Sequence, residues 1–368
     1  LIEDSADQAD PADLDAFLKA PDAIPGASVA NVHSSVAVEK TVGGAACQRD
    51  DRGQEATLDI DAILTLAPQA QIDVRYDDVC APGSDGTIPL QRALDAPDTN
   101  EIVFPFAIAP IIDGLTTDLG FIPIPYLEAA VRGIPLIVPS GDDGAFGMRL
   151  PGIDKPAVTF PCVLATVICV GGTQVGERRT GGPLDEGPWN DAAHASGGGI
   201  STEPRPSWQD APSAFEFTPA SVKNRIVPDI SADASGHLRI YWKKYALGGI
   251  GGTSESVAIA GAQIASIDAK VAPAKRILVP ADLYLLAQRA PQAFHDVSRD
   301  NDRGYIDNTL RPPPPRLPLN YRGVIPTSPP LIQGCAAISP RGCIVKLGYD
   351  AVTGIGSLKA KSAADALR

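Results

Sequence analysis

Ile134-Pro135-Leu136-Ile137-Val138-Pro139-Ser140-Gly141-Asp142-Asp143-Gly144 begins as a nearly unbroken apolar run and ends in a small, acidic turn. A strand that is apolar at successive positions is buried on both faces, as the strands of a parallel sheet are. Just before it, Tyr126 to Arg132 reads as a helix. The same couplet recurs upstream. A short helix is capped near Asp10, a strand runs from Ser28 to His33, and a helix from Glu55 to Leu66 precedes a strand from Gln71 to Tyr76. A helix near Leu90 and a strand from Glu101 to Phe106 continue the rhythm. This alternation predicts an α/β fold with a mainly parallel central sheet covered by helices on both faces. Reactive groups in such sheets stand beyond the carboxyl ends of the strands. Asp142 occupies such a place, and a plain Gly-Asp turn is the other reading of it.

The chain has 368 residues, 44% of them hydrophobic, enough to bury a large core. No stretch is apolar enough to span a membrane. Its 44 acidic against 31 basic residues give a net charge of -13. No cluster of Lys and Arg offsets that charge locally, which argues against nucleic acid as a partner. Six cysteines fall into three neighbouring couples, Cys47 with Cys80, Cys162 with Cys169 and Cys335 with Cys343, none with metal-type CxxC spacing. Disulfides in an exported protein are the reading we carry, six reduced buried cysteines the alternative. No signal peptide is visible. Leu1-Ile2 reads as the tail of a strand running into an acidic turn at Glu3-Asp4, so a processed or truncated chain is expected. Beyond about residue 172 the chain is loop-rich, and Pro312-Pro313-Pro314-Pro315 demands an extended surface segment.

Chemistry gathers at Gly251-Gly252-Thr253-Ser254-Glu255-Ser256, a glycine-rich turn leading into the small-residue run Val257 to Ala262 that reads as a buried helix. Two readings fit: Thr253 or Ser254 caps the helix, or Ser254 is a nucleophile whose oxyanion the turn and the helix N-terminus favour. A serine nucleophile needs a base. His33, His194, His237 and His295 each read as surface or loop histidines, so the base is sought among carboxylates. Glu55 and Asp59, at i, i+4, share one face of their helix, where a close pair can share a proton. A solvated acidic face is the bland alternative.

Jointly, Glu55-Ala56-Thr57-Leu58-Asp59 with Ala67-Pro68, Ser140-Gly141-Asp142-Asp143-Gly144 and Gly252-Thr253-Ser254 resemble the motifs of the sedolisins, the serine-carboxyl peptidases. Further segments match in order: Phe160-Pro161, Val170-Gly171-Gly172-Thr173, Ser196 to Ser201, Val227 to Ser231, Gly348-Tyr349-Asp350 and Thr353 to Gly356. The resemblance implies a subtilisin-like three-layer sandwich forming one peptidase domain over residues 1–368, with a calcium-binding portion at about 291–356. The pro-domain and first strand would be absent or truncated. It implies Ser254 as nucleophile, Glu55 as general base, Asp59 as the group that tunes it, and Asp142 as oxyanion stabiliser. One structural Ca2+ would be held by Asp296, Val297, Lys346, Gly348 and Asp350, with Lys346 standing where the family usually has glycine. Also implied are peptide or protein substrates, a pro-segment as a further partner, a monomer, export from the cell and activity in acid. The chain departs from the family at Val103-Phe104-Pro105-Phe106-Ala107, where a Ser-x-Ser-Tyr/Trp-Gly strand end is usual. That departure sustains an alternative: a pseudopeptidase that keeps the fold and binds without cleaving.

Overall fold

A computed structural model of the chain describes residues 1–4, 7–20, 24–36, 53–77, 87–107, 124–144, 147, 158–176, 185–189, 194–210, 222–297 and 348–368. In chain order the first strands and helices are β1 (Ile2–Asp4), α1 (Pro11–Leu18), β2 (Val32–Val36), α2 (Gln54–Leu66), β3 (Ile72–Asp77), α3 (Thr87–Leu94), β4 (Ile102–Val103), α4 (Ile124–Arg132) and β5 (Leu136–Pro139). There follow β6 (Ile168–Gly176), β7 (Asp185–Pro188), β8 (Gly199–Pro204), β9 (Asn224–Val227), β10 (Ile230–Asp233), β11 (Ile240–Trp242) and β12 (Tyr245–Leu247). The last are α5 (Thr253–Asp268), α6 (Pro280–Arg289), β13 (Phe294–His295), β14 (Ser357–Leu358) and α7 (Ala360–Leu367).

The seven-stranded sheet runs β13-β14-β10-β6-β5-β4, with β7 paired to β6. Its inner pairs, β4 with β5, β5 with β6, β6 with β10 and β10 with β14, are all parallel. Only β7 and β13, at its margins, run antiparallel. A second parallel sheet, β1-β3-β2, lies apart from it.

Residue alternation in β5 creates the layers. Ile137 belongs to a core shared with α2, α5, α6 and α7, whereas Leu136 and Val138 belong to one built on Leu90, Leu94, Tyr126 and Ala129 of α3 and α4. Helices therefore cover both faces, the three-layer α/β arrangement that the alternation predicts.

Small residues decide how close α5 comes to the sheet. A Cβ at Gly261 would stand 2.6 Å from Val103 Cγ2, so glycine is needed there despite a helix cost of about 1 kcal/mol. Val257 to Ala262 are all buried, as the small-residue run predicts.

Several expectations shift. Glu3 and Asp4 are buried strand residues, because β1 continues through them and pairs Asp4 with Asp77. Ser28 accepts from Ala30 N at 3.2 Å and caps a 3-10 turn, and the following strand extends to Val36. Pairing in β4 is short, although Phe104 N still donates to Ile137 O at 3.0 Å. Asp10 caps α1, accepting from Ala12 N at 2.8 Å.

Candidate active site

At the carboxyl end of β5 the chain turns through Ser140 and Gly141 toward the N-terminus of α5. Gly141 N donates to Thr253 Oγ1 at 3.1 Å, and Asp142 Oδ1 accepts from Thr253 N at 2.8 Å and Thr253 Oγ1 at 2.7 Å. This overturns the capping alternative: Gly252 is the N-cap, without any side-chain bond, and Thr253 is already helical. The carboxylate of Asp142 does the work of a cap from across the fold. A Cβ at Gly252 would lie 2.9 Å from Asp142 Oδ2 and 3.2 Å from Ser254 Oγ, so these two oxygens flank one small space kept open by the glycine. Ser254, at the second helical position, is partly exposed.

Asp142 also keeps an accessible edge. Desolvation nonetheless raises its pKa, opposed by the two Thr253 hydrogen bonds and by the charge of His194. His194 is exposed and stacks on Trp189, with ring centroids 6.0 Å apart.

On α2, Asp59 is fully buried while Glu55 is partly buried. Asp59 is paired with Glu3 of β1, a residue not singled out as functional from sequence. Desolvation, chiefly, raises both pKa values well above the ordinary range, with the negative charge of Glu55 adding to both and that of Glu3 adding to Asp59. Neither carboxyl has an N–H or O–H donor from another residue type within reach. Two such groups can hold each other only when one carries a proton, which then belongs to the pair. Glu3 thus joins Glu55 and Asp59 in the acidic group, and the charge of Glu55 raises the pKa of both buried carboxyls.

No family model matches the chain. It is 32% identical over 196 residues to sedolisin of Pseudomonas sp. (strain 101), covering 49% of this chain and 31% of that protein. It is 31% identical over 157 residues to tripeptidyl-peptidase 1 of Homo sapiens, covering 39% of this chain and 26% of that one. The matched stretch is therefore less than a third of either relative's length. The solved structure of Pseudomonas sedolisin, a serine-carboxyl proteinase complexed with pseudo-iodotyrostatin, superposes with a TM-score of 0.68 at 23% identity, covering 99% of this chain and 89% of that one. In sequence and in fold the chain is similar to the sedolisins.

A sedolisin fold, subtilisin-like in its layers, accounts for the architecture. Of the calcium positions implied by the family, Asp296, Val297, Gly348 and Asp350 are described and Lys346 lies outside the described residues. Asp296 Oδ2 accepts from Gly348 N at 2.8 Å, and Thr353 Oγ1 meets Val297 O at 3.4 Å, so the two segments touch. Asp350 Oδ1 accepts from Val352 N and Thr353 N at 2.9 and 2.8 Å. Burial raises the pKa of Asp296. Among the described residues no three His, Cys, Asp or Glu side chains converge as a metal cluster.

The other histidines stand apart from Ser254's expected role. His33 is exposed on β2, and His295 Nε2 lies 3.7 Å from Glu186 Oε2. His237 Nδ1 lies 3.0 Å from Asp233 Oδ2 and 2.5 Å from Ser235 Oγ. Both contacts use the same ring nitrogen, so these three side chains form no proton relay. Cys162 and Cys169 are joined by a disulfide. Cys47, Cys80, Cys335 and Cys343 lie outside the described residues, as does the tetraproline run.

Proposed function

We propose that this chain is the catalytic part of a serine-carboxyl peptidase that cleaves peptide bonds in acid through an acyl-enzyme on Ser254. Glu55 takes the hydroxyl proton, and Asp59, buried against Glu3, tunes and orients it. The observation that carries the reading is the juxtaposition of Asp142 Oδ2 and Ser254 Oγ over Gly252. Thr253 directs two donors at Oδ1, which makes Oδ1 the accepting oxygen and leaves Oδ2 to hold the proton. A carboxylic O–H at that position donates to the oxyanion that forms when Ser254 attacks a carbonyl. The helix N-terminus adds to the same stabilisation.

The proton on Asp142 is retained to a higher pH than usual because its pKa is raised. As pH rises through that value the donor is lost and an anion faces the forming oxyanion, so kcat falls. Asp59 and Glu3 lose their shared proton in the same direction. Activity is therefore expected to peak well below neutrality. Labelling with an acid-compatible fluorophosphonate, followed by Ser254→Ala, tests the assignment. Labelling and hydrolysis of denatured protein should both vanish in the variant, with hydrolysis down by on the order of 10⁴-fold or more. Persistent labelling removes Ser254 from the mechanism, and fastest hydrolysis at pH 8 removes the acid chemistry.

Pro105 favours a second reading, the silent binding protein of the same fold. It lacks the N–H that an extended peptide would use for pairing along this edge. A wild type that resists labelling throughout the acid range supports that reading over the first.

We infer further that Asp296, Val297, Gly348 and Asp350, with Lys346 through its carbonyl, hold one Ca2+. Carboxylate and backbone oxygens suit a hard cation, and a set with only two carboxylates is compatible with there being no denser acidic cluster among the described residues. When bound, the ion ties the turn at Gly348 to the segment after β13. Chelation should lower the thermal midpoint, and calcium alone should restore it. Export is supported by the Cys162–Cys169 disulfide, since such bonds persist in oxidising compartments.

A further inference from the structure

Glu255 follows the nucleophile directly, yet nothing in the acyl-transfer chemistry above uses it. It is the third residue of α5, the position from which a glutamate commonly reaches back to the N-cap amide. Here the Glu255 carboxyl points instead to a different loop. Its Oε2 accepts from Gly236 N at 2.9 Å, and the side chain is completely buried.

Gly236 belongs to the turn that leaves β10 and supports the nucleophile turn from beneath. Gly236 O accepts from Gly249 N at 2.8 Å. The two backbones are in direct contact: a Cβ at Gly251 would meet Ala234 O at 2.3 Å and Gly236 N at 2.6 Å, and one at Gly236 would meet Gly249 C at 2.6 Å. Gly236 thus bonds on one side to Glu255 and on the other to Gly249, three residues before the cap of the helix that bears Ser254. The circuit Glu255, Gly236, Gly249 and back through Gly252 to Ser254 is closed.

We propose that Glu255 is a positioning residue: by clasping Gly236 it fixes the turn Gly249 to Gly252 and, through it, the direction in which Ser254 presents its hydroxyl. The consequence for catalysis rests on the peptidase reading above, whereas the clasp itself does not. Removing the clasp leaves α5 docked, because Ser256 Oγ independently donates to Ala232 O and Asp233 O at 3.1 Å. Burial first, and then the charge of Asp233, push the Glu255 pKa up to about 8, with Glu55 across on α2 adding to the rise. His237 lies against Asp233 on the exposed side, Nδ1 to Oδ2 at 3.0 Å. In acid the side chain is therefore a neutral carboxylic acid whose carbonyl oxygen serves Gly236, and glutamine is its closest analogue.

The experiment compares Glu255→Gln and Glu255→Leu at one fixed acidic pH, by steady-state kinetics and by hydrogen–deuterium exchange of peptides covering residues 234–239 and 247–252. Glu255→Leu should lower kcat by about ten- to a hundredfold with KM little changed, as expected for a misdirected nucleophile in an intact cleft. It should also accelerate exchange in both peptides. Glu255→Gln should recover most of kcat and the protection of both segments. Wild-type kcat in Glu255→Leu overturns the proposal, as does unchanged exchange at 234–239. Glu255→Gln behaving like Glu255→Leu overturns it too, since the hydrogen bond would then not be what matters. If the wild type hydrolyses nothing, the peptidase reading fails on its own and exchange alone decides the clasp.

Discussion

Asp59 and Asp229 are both completely buried, and their surroundings are opposite in kind. Asp229 is satisfied from three directions: Arg225 Nη2 at 2.7 Å, Cys169 N at 2.9 Å and Tyr284 OH at 3.1 Å. Arg225 in turn donates to Cys162 O and Val167 O, both at 3.2 Å, and stands 5.2 Å from the Trp208 ring centroid. Asp59 faces only acids. A buried carboxylate with a full set of donors serves architecture, locking β9, β6 and α6 together. One that faces only acids is costly to the fold, and under the proposed function Asp59 stands where the chemistry needs it.

That contrast is broken most forcefully on the architectural side. Asp229→Ala strands the Arg225 charge in the core and should cost about 3–5 kcal/mol, seen in denaturant unfolding as loss of much of the protein's stability. Any molecules that still fold should keep the same pH optimum. Asp59→Asn should do the reverse: kcat falls on the order of a hundredfold, while the unfolding free energy stays level or rises. A large loss of stability in Asp59→Asn would make the two aspartates alike.

The pH dependence of stability should carry the same signature. Burial pushes Glu255 from its ordinary 4.5, and Asp61 from 3.8, up to about 8. Acids with raised folded pKa values stabilise the fold fully below their unfolded pKa, and that contribution is lost as pH rises toward 8. Unfolding free energy should accordingly fall as pH rises from 4 to 8, by about 1.4 kcal/mol for each pH unit by which a folded pKa exceeds its unfolded one. Glu3→Gln, which removes one of the crowded carboxyls, should flatten the neutral end of that curve and move the acid-range activity profile. The smallest effect is expected from Tyr284→Phe, which takes one of three donors from Asp229 and should cost about 1 kcal/mol without touching kcat.

Much of this was legible from local pattern. The run from Ile134 to Val138 located a buried parallel strand, and the i, i+4 spacing of Glu55 and Asp59 put two acids on one helix face. Ser140-Gly141-Asp142 could be placed beyond the strand end by architecture alone. What could not be read was partnership across the chain. Glu3 looked like a turn acid because only its pairing with β3 reveals it as a strand residue aimed at α2. Thr253 looked like a cap because its true partner, Asp142, lies 111 residues away in sequence. Leu1 to Asp4, two apolar residues followed by two acidic ones, is too brief to show where the strand ends, and the hydrogen bonds of a hydroxyl leave no trace in spacing.

Gly197 and Gly198 carry a last consequence. A Cβ on Gly197 would strike Ser140 O at 2.1 Å, and one on Gly198 would strike Ala351 O at 2.1 Å. Gly197 N bonds Gly141 O at 2.7 Å, and Ser196 Oγ bonds Val352 O at 3.0 Å. This short stretch is wedged between the loop that carries Asp142 and the turn at Asp350, with no slack on either side. It works as a rigid spacer, so the gap between the Asp142 loop and the C-terminal turn is set by backbone thickness alone. Shifting either wall means moving both.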